Sequence, residues 1–125
     1  MSHISVMKTV FADRELLIQA LRELGYTVTE GESLKITDGM KDYSVDFLAE
    51  VPFSAPIGFK KSKNGWRAAA DWFRVLEKRK TVEDQIRQTY ARLSVYRAME
   101  EQGFTLASEE KDEQGRIRLV LRRVS

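Results

Sequence analysis

Alternating hydrophobic positions predict strands at both ends of the chain. In residues 3–11 the β-branched residues Ile4, Val6 and Val10 occupy alternate positions, and residues 116–124 alternate in the same way. A period of two is typical of a strand with one buried face. Shorter segments bounded by turn residues predict further strands at residues 26–29, 33–37, 43–47, 57–61, 66–70 and 104–107.

Two segments instead have the spacing of amphipathic helices. The first follows Asp13, a suitable N-cap, and ends at Gly25, which can adopt the left-handed conformation that closes a helix. The second is predicted from Thr81, as N-cap, to Gln102. Short connections favour antiparallel neighbours. We therefore predict an α+β fold, a mostly antiparallel sheet of about six or seven strands with both helices on one face.

The strongest turn signal is the segment Ser62-Lys63-Asn64-Gly65, which predicts a hairpin because Asn-Gly tolerates positive φ at both central positions. A closing hairpin is predicted around residues 112–115. No linker or repeat interrupts the 125 residues, so we expect a single domain over residues 1–125.

The composition excludes several classes of site. The chain has no cysteine and one histidine, which excludes disulfides, a cysteine nucleophile and a zinc site built from these residues. No phosphate-binding or nucleophile-elbow motif is present. Asp42 and Asp46 share a strand face and could hold a hard cation, although exposure to solvent is the favoured interpretation. We expect no metal, no cofactor, no signal peptide and no membrane partner.

Charge is distributed unevenly along the chain. Residues 12–50 contain nine acidic and four basic residues, whereas residues 57–80 contain eight basic and two acidic residues. Such segregation can steer a charged partner if the fold gathers the charges on one face. A mixed, solvated surface is the alternative interpretation.

Two basic clusters and two tryptophans are the candidate contact residues. Arg116, Arg118 and Arg122 form a cationic row along the last strand. The second cluster surrounds the predicted hairpin and consists of Lys60, Lys61, Lys63 and Arg67, with Trp66 beside its tip. Trp72 and Phe73 are expected on opposite sides of a strand, so that one ring faces outward. For each group the alternative is an ordinary solvated face, with both tryptophans packed in the core.

Nine short segments together resemble one family of proteins. They are residues 1–5, 8–9, 16–21, 24–26, 57–59, 70–73, 85–91, 102–105 and 116–123. The pattern is similar to a small uncharacterised family, a domain of unknown function, with members in cyanobacteria, red-algal plastid genomes and scattered bacteria and phages. The resemblance implies a stand-alone protein of the cytoplasm or plastid stroma, and it implies no activity and no catalytic residue.

Three functions remain open from the sequence. The leading hypothesis is a non-catalytic, protein-binding or accessory module that uses Trp66, Arg67, Trp72 and the arginine row. The alternative is single-stranded nucleic-acid binding through the basic hairpin and the last strand. A third hypothesis is a small-molecule enzyme with a pocket near His3, Asp71 or Tyr90.

Overall fold

The computed structural model describes residues 3–123, with the side chains of all of them except residues 105–108, 119 and 121. Its elements in chain order are β1 (Ser5–Val6), α1 (Arg14–Glu23), β2 (Thr27–Thr37), β3 (Asp42–Glu50), β4 (Ile57–Ser62), β5 (Gly65–Ala70), α2 (Arg79–Glu101), β6 (Phe104–Lys111) and β7 (Ile117–Arg123).

The strands form a five-stranded sheet in the order β1-β5-β4-β3-β2 and a separate hairpin of β6 and β7. Every pairing between these strands is antiparallel. The α+β prediction is therefore confirmed. The seven strands of the described residues, however, lie in two sheets and not in one, since β6 and β7 pair with each other and with no strand of the larger sheet.

Two compact units divide the chain, residues 1–90 and residues 91–125, and α2 contributes residues to both. The first unit contains α1 and the five-stranded sheet, and the second contains the β6–β7 hairpin. The expectation of a single domain over residues 1–125 stays a prediction.

The main core of the first unit lies between the sheet and the helices. Leu17 and Leu21 of α1 and Ile86 of α2 belong to the same buried cluster as Phe47 and Phe59, whose rings stack with centroids 5.0 Å apart. Both helices therefore cover one sheet face, as predicted. Asp13 caps α1 as expected, since its Oδ1 accepts a hydrogen bond from the backbone N–H of Leu16 at 3.1 Å.

A second buried cluster lies on the opposite side of the sheet and contains Ile36, Val45, Leu48 and Ala69. A Cβ atom on Gly58 would lie only 2.5 Å from Val45 Cγ1 and 3.2 Å from Ile36 Cγ2. The outer halves of β2 and β3 therefore fold over β4. Regular alternation would place Val45 and Phe47 on the same side, yet they belong to different clusters. The pairing of β2 with β3 shifts register between Glu30 and Leu34, the residues opposite Phe47 and Val45.

Three predicted segments have different boundaries. The strand predicted for residues 3–11 is assigned only at Ser5–Val6, with an isolated bridge at Phe11, although the buried Met7 also donates its N–H to the Ala68 carbonyl at 2.8 Å. Residues 27–37 form one strand with an irregularity between Glu30 and Leu34 where a turn was predicted. α2 begins at Arg79, two residues before the predicted cap, so the basic turn becomes its first turn.

The hairpin predicted at residues 62–65 is confirmed, but its centre differs. Ser62 pairs with Gly65, which leaves Lys63 and Asn64 as the two turn residues. In the described chain only Gly65 of this turn has a positive φ, at 147°. The turn at residues 112–115 is also confirmed, with the Gly115 N–H donating to the Asp112 carbonyl at 3.0 Å. The alternation of residues 116–124 predicts that Leu119 and Leu121 share one strand face, and these two side chains lie outside the described part of the structure.

In the second unit, Glu109 of β6 is held by α2. Its carboxylate accepts hydrogen bonds from Arg92 Nη1 at 2.9 Å and from the Tyr96 hydroxyl. These two donors, Tyr96 first, lower the pKa of Glu109.

Glu109→Gln is expected to lower the free energy of unfolding by about 1 kcal/mol at neutral pH. A carboxyl whose pKa is lowered by folding stabilises the native state above its unfolded pKa, and this contribution is lost as the pH falls through the folded pKa. Urea unfolding of both proteins at neutral and acidic pH measures the difference, which should shrink in acid. Glu113→Gln, in the exposed turn, is the control, and equal losses for the two variants would contradict the prediction.

Candidate functional site

Four large apolar side chains are exposed on three loops of the first unit. Met40 lies in the turn between β2 and β3 and is 92% exposed, and Phe53, between β3 and β4, is 100% exposed. Phe73 and Leu76, between β5 and α2, are 78% and 69% exposed. We call these four residues the loop surface. Exposed apolar groups gathered in this way are typical of interaction sites.

Hydrogen bonds hold two of these loops together. The Ala55 N–H donates to the Arg74 carbonyl at 3.1 Å. The Leu76 N–H donates to Ser54 Oγ at 2.9 Å. The β2–β3 turn lies beside the same arginine, because a Cβ atom on Gly39 would be 3.6 Å from Arg74 Nη2. The three loops therefore lie next to one another around Arg74.

Phe53 has an uncommon backbone conformation. Its φ is 64°, in the left-handed region that a bulky side chain rarely occupies. Such a residue costs on the order of 1–2 kcal/mol, so the surrounding structure must hold it there. Local strain and complete exposure of an aromatic ring occur together at this position, a combination typical of binding sites.

Asp38 shapes the turn that carries Met40. Its Oδ1 accepts hydrogen bonds from the backbone N–H groups of Met40 at 2.8 Å and Lys41 at 2.7 Å. These bonds, that from Lys41 first, lower the pKa of Asp38. The aspartate thus closes the turn as an ionised acceptor.

A cleft of about 260 Å³ opens beside the loops. It is lined by Leu24, Tyr26, Val51, Ser54, Ile57, Val75, Leu76, Glu77 and Gln85. A shallower depression of about 410 Å³ adjoins it and is lined by Thr27, Glu50, Val51, Pro52 and Ser54. Because Val51 and Ser54 line both, the two form one groove along the loop that carries Phe53.

The polar groups of this groove are acidic or neutral. Burial raises the pKa of the Tyr26 hydroxyl, and the negative charge of Glu77 raises it further. Tyr26 therefore remains protonated at neutral pH. Within the described residues, neither Glu50 nor Glu77 has an ion-pair partner, and no basic side chain lines the groove.

A buried carboxylate lies at the base of the loop that carries Phe73. Asp71 is 2% exposed and lies 3.6 Å from Arg74 Nε. Among the described residues, no hydrogen-bond donor reaches either of its side-chain oxygens. The Arg74 N–H donates to the Asp71 carbonyl at 2.9 Å, and the Arg74 carbonyl receives the bond from Ala55. Asp71 therefore contacts the residue that joins two loops of the loop surface, and it does not line the groove.

The two predicted tryptophan contacts are both partly buried. Trp66 packs against the main core, with Lys61 Nζ 5.1 Å from its ring centroid. Trp72 also packs there, and its Nε1 donates to the Ser5 carbonyl at 3.2 Å. Trp72 and Phe73 do take opposite sides, inward and outward, but they do so in a turn and not in a strand.

The basic hairpin lies against the acidic part of the chain. Lys60 and Arg67 face each other in register on β4 and β5, and Lys63 is exposed in the turn. Lys60 Nζ lies 5.0 Å from the Tyr43 ring centroid, and the Lys61 N–H donates to Asp46 Oδ2 at 2.6 Å. The strand pairing of β3 with β4 therefore brings the acidic and basic segments together.

The arginine row belongs to the second unit. Arg116 lies in the β6–β7 turn, where its Nε donates to Asp112 Oδ2 at 2.7 Å, so its guanidinium is already occupied. Arg118 is exposed opposite Glu110, and Arg122 is exposed opposite Thr105. The contact roles of these three arginines, and those of Trp66, Arg67, Trp72 and the hairpin lysines, stay predictions.

The residues suggested for other chemistry are placed apart from the groove. His3 is exposed, and the Tyr90 hydroxyl accepts a hydrogen bond from the Asp13 N–H at 3.0 Å. Asp42 forms an ion pair with Lys35 at 3.6 Å, and Asp46 binds a backbone amide. Among residues 3–123, no group of three or more acidic or histidine side chains is placed to hold a metal ion.

Sequence reasoning missed Phe53, Met40 and Leu76. The available signal was an aromatic residue between Pro52 and Pro56, in a loop that cannot join a sheet. A large apolar side chain at such a position has no strand face on which to be buried.

These observations define an α+β protein with an apolar loop surface beside an acidic groove. No helix in the described part of the chain is long and apolar enough to cross a bilayer. Residues 20–120 match the model of a protein of unknown function, DUF1257, and the chain belongs to this family. It is 32% identical to the uncharacterized protein ycf35 of Cyanophora paradoxa and 28% identical to that of Pyropia yezoensis, over 98% of both chains in each case. No solved structure matches it.

Proposed function

We propose that this protein is a non-catalytic docking or accessory module that binds a segment of another protein on its loop surface. The observation that carries the proposal is the complete exposure of Phe53, which has a positive φ in a loop that is hydrogen-bonded to the loop of Phe73 and Leu76. Exposed aromatic anchors next to a groove are the usual centres of protein–protein contact. The loops are joined by hydrogen bonds, which lowers the entropic cost of ordering them on binding.

A photo-crosslinking experiment tests this proposal. A benzoylphenylalanine at position 53 is expected to cross-link to protein in an extract of the native host. Phe73→Ser should weaken that cross-link at least about fivefold, because removal of an aromatic anchor that becomes buried in the complex typically costs over 1 kcal/mol. The same photoprobe at position 15, on the exposed side of α1, is the control. Equal products from positions 53 and 15, or none from position 53, would refute docking at the loops.

The nucleic-acid alternative rests on Lys60, Lys61, Lys63 and Arg67, all of them exposed. We rank it second because Trp66 is packed against the core and Arg116 is bound to Asp112, which leaves fewer rings and cations for bases and phosphates. Cross-linking of position 53 to nucleic acid would reverse the ranking. A small-molecule enzyme remains the third hypothesis. We also propose that the protein is located in the cytoplasm or the plastid stroma.

A further inference from the structure

The groove beneath the loop surface has the chemistry of a receptor for a long basic side chain. Five of the nine residues that line the cleft are aliphatic, among them Leu24, Ile57 and Val75, and Glu77 is the one acidic residue of that lining. Lysine and arginine bury their methylene stems against apolar surface while the charged head reaches a polar group. A cleft that combines aliphatic residues with one carboxylate matches that division.

The charges around the groove favour a cation over other occupants. Glu77 lines the cleft and Glu50 lines the adjoining depression, and neither carboxylate is neutralised by an ion pair within the described residues. The Tyr26 hydroxyl stays protonated, so the groove gains no third negative charge at neutral pH. An acidic or phosphorylated segment would be repelled here, and a purely apolar one would leave Glu77 without a partner.

We propose that this groove binds a lysine or arginine side chain of the partner segment that docks on the loop surface. The inference rests on the proposed function, which it deepens by stating the chemistry of the partner. The apolar residues of the segment contact Phe53 and Phe73, and its basic side chain enters between Tyr26 and Glu77. An aromatic ring beside a carboxylate suits either cation.

The test uses two small probes with the full-length protein. N-acetyl-arginine amide is the cationic probe, and N-acetyl-citrulline amide is its neutral counterpart of nearly the same shape. In an NMR titration, the arginine probe is expected to shift the methyl signals of Leu24, Val51 and Val75. Its affinity should exceed that of the citrulline probe by about threefold to fivefold, the range of an exposed ion pair.

Glu77→Gln should remove that difference, whereas Glu15→Gln, on the exposed side of α1, should leave it unchanged. Equal affinities of the two probes for the wild-type protein, or an arginine preference that survives Glu77→Gln, would overturn the cation site. The outcomes for the two proposals are separable. A cross-link from position 53 without an arginine preference supports docking and refutes the cation site. An arginine preference without the cross-link supports a cation site in the groove and refutes docking at the loops.

Discussion

Gly65→Ala is expected to destabilise the protein by about 2–4 kcal/mol. A Cβ atom at this position would lie 2.4 Å from the Phe11 carbonyl oxygen and 2.9 Å from its carbon, and these two backbone atoms cannot rotate away as a side chain can. The same carbonyl accepts the Trp66 N–H at 2.8 Å, and Phe11 N–H donates in return at 2.9 Å. The added methyl group must therefore separate the edge segment from β5 and break this pair.

Gly31→Ala is the matched control for that experiment. Gly31 has a φ of 156°, close to the 147° of Gly65, but nothing lies within 4 Å of its Cβ position. The control measures the conformational cost of alanine, about 1 kcal/mol, without the steric contact. Urea unfolding of the two variants measures the difference, and equal losses would show that the approach of Phe11 does not constrain position 65.

Gly58→Ala is the second large effect, and it is expected to cost about 2–3 kcal/mol through overpacking. The new methyl group would meet Val45 Cγ1 at 2.5 Å in the second buried cluster. Val45→Ala alone should cost about 2 kcal/mol, because it leaves a cavity. The double variant should be at least about 1 kcal/mol more stable than the sum of the two losses predicts, since each change relieves the other.

Denaturant unfolding of the wild-type protein, the two single variants and the double variant measures this coupling. The comparison is Gly58→Ala combined with Leu34→Ala. Leu34 packs against the same cluster, but the atoms nearest to a Cβ on Gly58 belong to Val45 and Ile36. Strict additivity of Gly58→Ala and Val45→Ala would mean that the outer halves of β2 and β3 do not rest on β4 in solution.

Local signals in the sequence predicted much of this fold. The Asp13 cap and the Asn-Gly hairpin depend on hydrogen bonds between residues a few positions apart, so short-range chemistry was sufficient to identify them. The folding of β2 and β3 over β4 depends on contacts between Val45 and Gly58, which are distant in sequence. Alternation alone therefore assigned Val45 and Phe47 to one face, and the structure separates them.

The candidate site was predicted less well than the fold. Aromatic content and positive charge drew attention to Trp66 and Trp72, but both rings are used largely in packing. The groove combines Tyr26, Val51 and Glu77 from three separate segments, and no spacing rule connects them. Of its two carboxylates only Glu50 belongs to the acidic segment 12–50, whereas Glu77 lies in the basic segment 57–80, so the charge distribution along the sequence did not indicate the groove.

The outer margin of β1 has a consequence for self-assembly. Arg79 Nη2 donates to the Val6 carbonyl at 3.3 Å, and its Nη1 donates to Ser5 Oγ at 3.2 Å. A strand from another molecule that approached this margin would find the Val6 carbonyl already bonded and a cationic side chain beside it, so the sheet resists extension there. Arg79 thus protects the margin against edge-to-edge pairing, and light scattering should detect more aggregation of an Arg79→Ala protein.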